Sequence, residues 1–269
     1  MFIDTHCHLD AAEFGGSQAA LVEAAQATGV GRIVVPSVAR ANFAAVRRLC
    51  ERFPACAPAY GIHPMYTGDA TPEDLTTLRE QLVQPDTAAV GEIGLDFFIE
   101  HHDRARQEYF FTEQLKLARE FDLPVLLHIR RAQDTVLKHL RQFYGSAGPS
   151  TKLRTGLRTG IAHSFSGSRQ QADEFIRLGF KLGFGGAMTH PRATRLRELA
   201  TTLPLDSIVL ETDAPDIPPA FLPAGEPNKP EYLPRIAQTL AELRGMPLEK
   251  IAEATTANAL AVLPKLGKL

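Results

Sequence analysis

The stretch Phe2-Ile3-Asp4-Thr5-His6-Cys7-His8-Leu9-Asp10 decides how this chain folds. It opens as an apolar strand and runs into a turn with no glycine. An open doubly wound sheet carries a glycine-rich phosphate loop at its first strand-to-helix turn. Without that loop, a closed barrel becomes the better solution. Short apolar or β-branched runs predict strands at Phe2–His6, Arg32–Ser37, Ala57–His63, Ala88–Gly94, Pro124–Ile129, Gly160–Ser164, Phe180–Gly185 and Ser207–Thr212. Their starts recur about every 29 residues, near the length of one βαβ unit. Helical patterns fill the intervals. In Asp103–Phe121 the first residue can cap, and Phe111, Leu115, Ala118 and Phe121 share one face. Tyr232–Leu243 and Leu248–Leu263 close the chain. Eight strands alternating with helices and no break in composition predict one α/β domain over residues 1–269, a single (β/α)8 TIM-type barrel.

The 269 residues are 44% hydrophobic and 22% charged, enough to bury a large core and to exclude disorder. Lys+Arg 29 against Asp+Glu 31 gives a net charge of −2, which excludes a strongly basic nucleic-acid coat. Cys7, Cys50 and Cys56 form no CxxC pair, so a reducing compartment is expected. No signal peptide pattern and no membrane-spanning apolar run is seen, and the expectation is a soluble cytoplasmic protein without a membrane partner. Two segments are irregular. Residues 144–160 repeat Leu-Arg-Thr-Gly and hold Lys152, Arg154 and Arg158 without an acid, as a solvated loop or a phosphate-binding lid. Pro215–Pro234 is too long for a tight turn and is expected over part of the barrel mouth.

Chemistry is concentrated at the predicted strand ends. His6 and His8 share a face of the first strand, roughly 6–7 Å apart, and can converge on one metal ion. Glu92 ends strand four after a buried apolar run, where a carboxylate is costly unless paired or coordinated. His128, His163 and Asp213 close strands five, six and eight. The C-terminal rim is where barrel active sites are built. Six N/O donors exceed one tetrahedral zinc and suit two divalent ions about 3.5–4 Å apart. Glu92 lies between the group from strands one and eight and the group from strands five and six, so it is the natural bridge. No lysine ends strand four, so a carbamylated-lysine bridge is not available there. Imidazoles suit Zn, Mn or Fe, and the carboxylates also admit Mg.

The segments Phe2–Asp10, Gly61-Ile-His-Pro64, Gly91-Glu-Ile-Gly-Leu-Asp96, Leu123-Pro-Val-Leu-Leu-His128, His163-Ser-Phe-Ser-Gly-Ser168 and Glu211-Thr-Asp-Ala-Pro215 occur in order along the whole chain. In this combination the chain resembles the TatD family of metal-dependent deoxyribonucleases, and most closely its YjjV-like branch. The resemblance implies a metal-dependent hydrolase barrel, a binuclear divalent site and cleavage of DNA phosphodiesters, in several members from a 3′ end. It puts the metal ligands on His6, His8, Glu92, His128, His163 and Asp213. One departure stands out: the family's Arg-Asn-x-Pro is here Pro227-Asn228-Lys229-Pro230. Thr256 and Asn258 also match a family pattern and are expected as a structural cap.

Secondary candidates follow. Arg130 shares a face with His128 and is placed to donate to a phosphate oxygen, unless it is simply solvated or ion-paired. His63 is expected to bind substrate or donate a proton. Asp4, sharing parity with His6, is placed to orient its imidazole, and Asp96 either does the same for a ligand or caps the next helix. His101, His102, His139 and His190 read as surface, and Cys7 as buried packing. The mechanism expected is attack on phosphorus by a water that two divalent ions activate, with Glu92 bridging and Asp213 orienting the water or taking its proton. The near-neutral charge predicts weak, transient engagement of DNA or a short oligonucleotide, and no obligate protein partner. Two other readings compete: hydrolysis of a small-molecule ester, amide or modified nucleotide at the same site, and metal or partner binding without turnover.

Overall fold

Eight parallel strands follow one another around the sheet in chain order: β1 (Phe2–Asp4), β2 (Val30–Pro36), β3 (Cys56–Tyr60), β4 (Ala89–Asp96), β5 (Val125–Arg130), β6 (Gly160–Ala162), β7 (Lys181–Phe184) and β8 (Ile208–Leu210). The computed structural model describes residues 1–99, 101, 103–144 and 159–268. The basic segment at 145–158 and His102 lie outside the described residues. Helices α1 (Gln18–Ala27), α2 (Arg40–Arg52), α3 (Pro72–Leu82), α4 (Arg104–Glu120), α5 (Gln133–Tyr144), α6 (Arg169–Arg177), α7 (Thr194–Thr202) and α8 (Leu233–Arg244) alternate with the strands, and α9 (Leu248–Val262) closes the chain. This is the expected (β/α)8 barrel. No helix among the described residues is long and apolar enough to cross a membrane.

The strands are apolar on both faces because each face is covered. Ile3, Val34, Ala57, Ala59, Leu126, Ile161 and Val209 fill the barrel interior, where α9 adds Ala259 and Val262 as a floor. Their neighbours of opposite parity, such as Ile33, Val35, Tyr60, Val125 and Leu127, pack outward against the helices. Thr256 and Asn258 hold that floor rather than capping a helix. Thr256 Oγ1 donates to the Met1 carbonyl (3.0 Å), and Asn258 Nδ2 donates to the carbonyls of Leu205 (2.8 Å) and Ile208 (2.7 Å).

The helix α4 shows how a helix sets strand ends. Asp103 caps it, its side chain accepting from Arg106 N at 3.1 Å. Gln107 and Gln114, two turns apart and both buried, each make a two-way amide pair with backbone. Gln107 takes the Asp96 N–H (2.9 Å) and donates to its carbonyl (3.1 Å). Gln114 does the same at Ile62 (2.7 and 3.1 Å). The ends of β4 and the turn after β3 are thereby fixed to one helix face.

The first and last strands meet differently. Several strands are shorter than expected, and β1 and β8 each have three residues. Beyond them the chain stays extended. Thr5 N donates to Leu210 O (3.1 Å), Asp213 N to His6 O (2.8 Å) and His8 N to Ala214 O (2.8 Å). Asp4, fully buried, accepts from Thr212 N (2.9 Å) and Thr212 Oγ1 (2.6 Å) across the same seam.

Candidate metal centre

All six expected donors converge at the C-terminal mouth of the barrel. His6 and His8 emerge on one side of the extended segment after β1, as their parity predicts, with Nε2 atoms 3.2 Å apart. In β4 the pairing with β5 shifts register between Val90 and Ile93, and Glu92 N donates instead to Ser37 O at 3.0 Å. Such an irregularity re-aims one side chain without ending the strand. It leaves Glu92 buried at the centre of the cluster. The adjoining register demands glycine at position 94: its φ is +150°, and a Cβ there would lie 1.9 Å from the His128 carbonyl oxygen.

The two carboxylate oxygens of Glu92 face different imidazoles. Oε2 lies 3.2 Å from His6 Nε2 and 3.5 Å from His8 Nε2. Oε1 lies 3.0 Å from His128 Nδ1, 3.6 Å from His63 Nε2 and 3.9 Å from His163 Nε2. Asp213 Oδ1 stands 3.7 Å from both His6 and His8, and 3.5 Å from His163 Nε2. The grouping differs in part from expectation. His163 stacks on His6 (ring centroids 3.6 Å apart) and joins the His6–Asp213 group, whereas His63 takes the place beside His128 and Glu92. The strand-order argument could not see this, because it ignored how far each side chain reaches across the barrel.

Electrostatics mark the cluster as unusual. Burial alone pulls the His8 imidazole down, yet the hydrogen bond and charge of Glu92, with Asp213, outweigh it and bring it to about 9. His163 is likewise pulled down by burial and carried up to about 10 by the charges of Glu211 and Asp213. Burial wins at His63, which falls to about 3, and at His6, which is lowered further by His163. Burial opposes ionisation of Glu92, but the surrounding imidazoles hold it well below the usual carboxylate range.

Three supporting residues have distinct roles. Asp96 accepts from the His128 ring (Oδ2 to Nε2, 3.1 Å) and from Phe98 N (2.9 Å), so it orients a candidate ligand and caps no helix. Asp4 does not touch the His6 imidazole. It accepts the His6 backbone N–H at 3.3 Å and holds the seam. Glu211 was not singled out from sequence. It is fully buried, lies 3.0 Å from His163 Nδ1 and accepts from Ser164 N at 2.5 Å. The signal was present: Glu211 shares strand parity with Asp213 at the end of a buried run, where an unpaired carboxylate is too costly to keep.

Among the other histidines, His101 is exposed as expected. His139 is not at the surface. Its ring sits between α4 and α5, 2.8 Å from Glu108 Oε2, because its helix turns that face inward. His190 is half-buried, with Nε2 3.0 Å from the Pro218 carbonyl. Cys7, Cys50 and Cys56 are buried free thiols.

The cluster opens into a cavity of about 900 Å³ lined also by Asp10, Asn42, Tyr66, Arg130, Ser166 and Asp216. Pro215 and Ile217, from the long segment after β8, contribute to its wall. Asn228 pins that segment by donating to the Thr212 carbonyl at 2.8 Å. Does the donor set fit cations? Ligand bonds of 2.0–2.1 Å in a tetrahedron put neighbouring donor atoms about 3.3 Å apart. The His6, His8 and Glu92 separations of 3.2–3.5 Å match that edge length. The fit is good, and Glu92 offers one oxygen to each side.

Comparison with known proteins shows which family the chain resembles along its length. The profile of the family described as TatD related DNase matches residues 3–264. An Escherichia coli K12 protein named uncharacterized metal-dependent hydrolase YjjV is 43% identical over 96% of this chain and 95% of its own length. A Rahnella protein named 3′-5′ ssDNA/RNA exonuclease TatD is 30% identical over 94% of each chain. The crystal structure of the YjjV TatD homologue from Escherichia coli superposes with a TM-score of 0.89 at 42% identity, covering 98% of both chains.

Proposed function

The chain belongs to the TatD related DNase family, and on that premise we propose that it is a divalent-metal-dependent hydrolase that cleaves DNA phosphodiester bonds, working from the 3′ end of single strands. The observation that carries this reading is the division of Glu92 between two sets of imidazoles, Oε2 toward His6 and His8, Oε1 toward His128 and His63. His6, His8, Glu92, His128, His163 and Asp213 would hold two ions, with zinc, manganese or magnesium the candidates. Bound cations supply Lewis-acid polarisation of a phosphoryl oxygen and make water more acidic.

The remaining work falls to this chain's own groups. Asp213, on the cavity wall, orients the attacking water and takes its proton. His63 accepts the Met65 N–H at Nδ1 (3.2 Å), so its proton sits on Nε2, facing the cluster. With its pKa at about 3 the ring is neutral, a hydrogen-bond donor toward a phosphoryl or leaving oxygen and a poor ligand through that nitrogen. Arg130, exposed on the same cavity, donates to a phosphate oxygen.

The test is metal analysis of the purified protein, followed by assays on end-labelled single- and double-stranded oligonucleotides with each cation, beside a panel of small esters and amides. Stepwise 3′ shortening of single strands is expected, and should vanish in Glu92→Ala together with bound metal. Turnover of an ester or amide with no oligonucleotide shortening under any cation would replace the nuclease reading.

A further inference from the structure

Arg130 on the cavity wall and its chain neighbour Arg131 carry two positive charges that the reaction scheme does not use together. Arg130 and Arg131 both lie over the Phe98 ring, their guanidinium carbons 3.8 and 4.6 Å from its centroid. Phe98 itself is 42% exposed, an unusual position for a phenylalanine unless something makes use of it. Among the described residues neither guanidinium has a carboxylate within ion-pair distance. The nearest acid in register, Asp96, is opposite Arg130 in the β4–β5 ladder but is committed to His128 and the Phe98 N–H. Ordinarily, exposed arginines find a carboxylate or roam in solvent. Here one aromatic ring holds two of them, Arg130 on the cavity wall and its exposed neighbour Arg131.

The physical consequence is preorganisation. A free arginine side chain loses rotamer entropy when it is fixed, and stacking on an aromatic face has already limited that freedom. Stacking on a ring leaves the in-plane N–H groups of a guanidinium free, in the fork that matches phosphate oxygens. We infer that Arg130, Arg131 and Phe98 form a second anion site, which holds the substrate phosphate adjoining the one to be cleaved. The inference rests on the nuclease reading and adds a substrate requirement to it: a phosphodiester with at least two neighbouring phosphates binds better than an isolated one. It also gives a chain with a net charge of −2 a local pair of cations with which to engage a polyanion.

Salt dependence of binding tests the site directly. The metal-loaded protein is titrated with a fluorescent oligothymidylate carrying phosphorothioate linkages, across a range of salt concentrations, while cleavage of the unmodified strand is followed in parallel. Arg131→Gln is expected to weaken binding about tenfold at low salt. The slope of log affinity against log salt should fall by about 0.7, the contribution of one single-strand phosphate contact. Phe98→Leu keeps the charge and should cost about two- to fivefold in affinity. Arg131→Lys should restore the slope but not the full affinity. Both substituted positions are exposed, and unchanged circular dichroism checks the fold. If the wild type binds and cleaves the strand, and Arg131→Gln and Phe98→Leu both match it in affinity and slope, the anion site is refuted while the nuclease reading stands. If the wild type neither binds nor cleaves, the nuclease reading falls and takes the anion site with it.

Discussion

Glu211→Gln isolates the contribution of a residue that touches no substrate. Glu211 lies 3.0 Å from His163 Nδ1 and accepts from Ser164 N at 2.5 Å. The glutamine is nearly isosteric, and its carbonyl oxygen can still take the Ser164 N–H. What it removes is the charge that, against burial, carries His163 up to about 10. Breaking a buried ion pair by deleting one partner costs about 3–5 kcal/mol. Asp213 Oδ1 remains 3.5 Å from the other ring nitrogen, so the lower end applies, about 3 kcal/mol. At about 2–4 °C per kcal/mol for a chain of this size, the metal-free protein should melt about 6–12 °C lower near pH 7. Loss of a carboxylate that orients a ligating imidazole should also weaken cation binding about 10–100-fold. Thermal denaturation with chelator present, and calorimetric titration with zinc or manganese, measure the two effects. If the melting point stays within 2 °C and the affinity within twofold, Glu211 does not position His163 and the reasoning fails.

Other outcomes follow from the same geometry. Gly183→Ala should reproduce the Glu211→Gln phenotype with every charge intact, because its Cβ would lie 2.2 Å from Glu211 Oε2; calorimetry measures it. His63→Gln should lower turnover about 10²–10³-fold with bound metal unchanged, read by kinetics beside elemental analysis; loss of metal would make His63 a ligand instead. Cation affinity should rise with pH, by about tenfold per unit for each proton displaced, since His8 at about 9 and His163 at about 10 are protonated near neutrality. The metal-free fold should behave in the opposite sense. Imidazoles raised from 6.5 stabilise it fully below that pH, and the benefit is lost as pH climbs through 9 to 10, which a melting series checks. Gly94→Ala should cost about 3 kcal/mol or more in urea unfolding, since its Cβ meets the backbone of β5.

Much of this was legible in the sequence. Strand positions and the closed barrel followed from repeat length and the glycine-free first turn, and the six strand-end donors followed from period-two alternation. Strand ends were less accessible: pairing stops where neighbouring backbones diverge, and β1 ends at Asp4 although the strand expected from sequence reaches His6. The partition of histidines failed for a related reason, since strand order says nothing about reach across a barrel, and His163 ends stacked on His6. Gln107 and Gln114 went unremarked because a buried glutamine looks like any polar residue on a helix until its backbone partners are known. Arg131 and Phe98 are far apart in sequence, and only the β4–β5 register brings them together.

The seam between β8 and β1 has a mechanical consequence. His6 and His8 belong to one lip and Asp213 to the other, and the lips are stitched by a few backbone hydrogen bonds and the Asp4–Thr212 pair. A cation gripping both lips would act as a rivet through that joint of the hoop. Loading the site and tightening the hoop would then be one event, and stripping the rivet would slacken the ring at that joint.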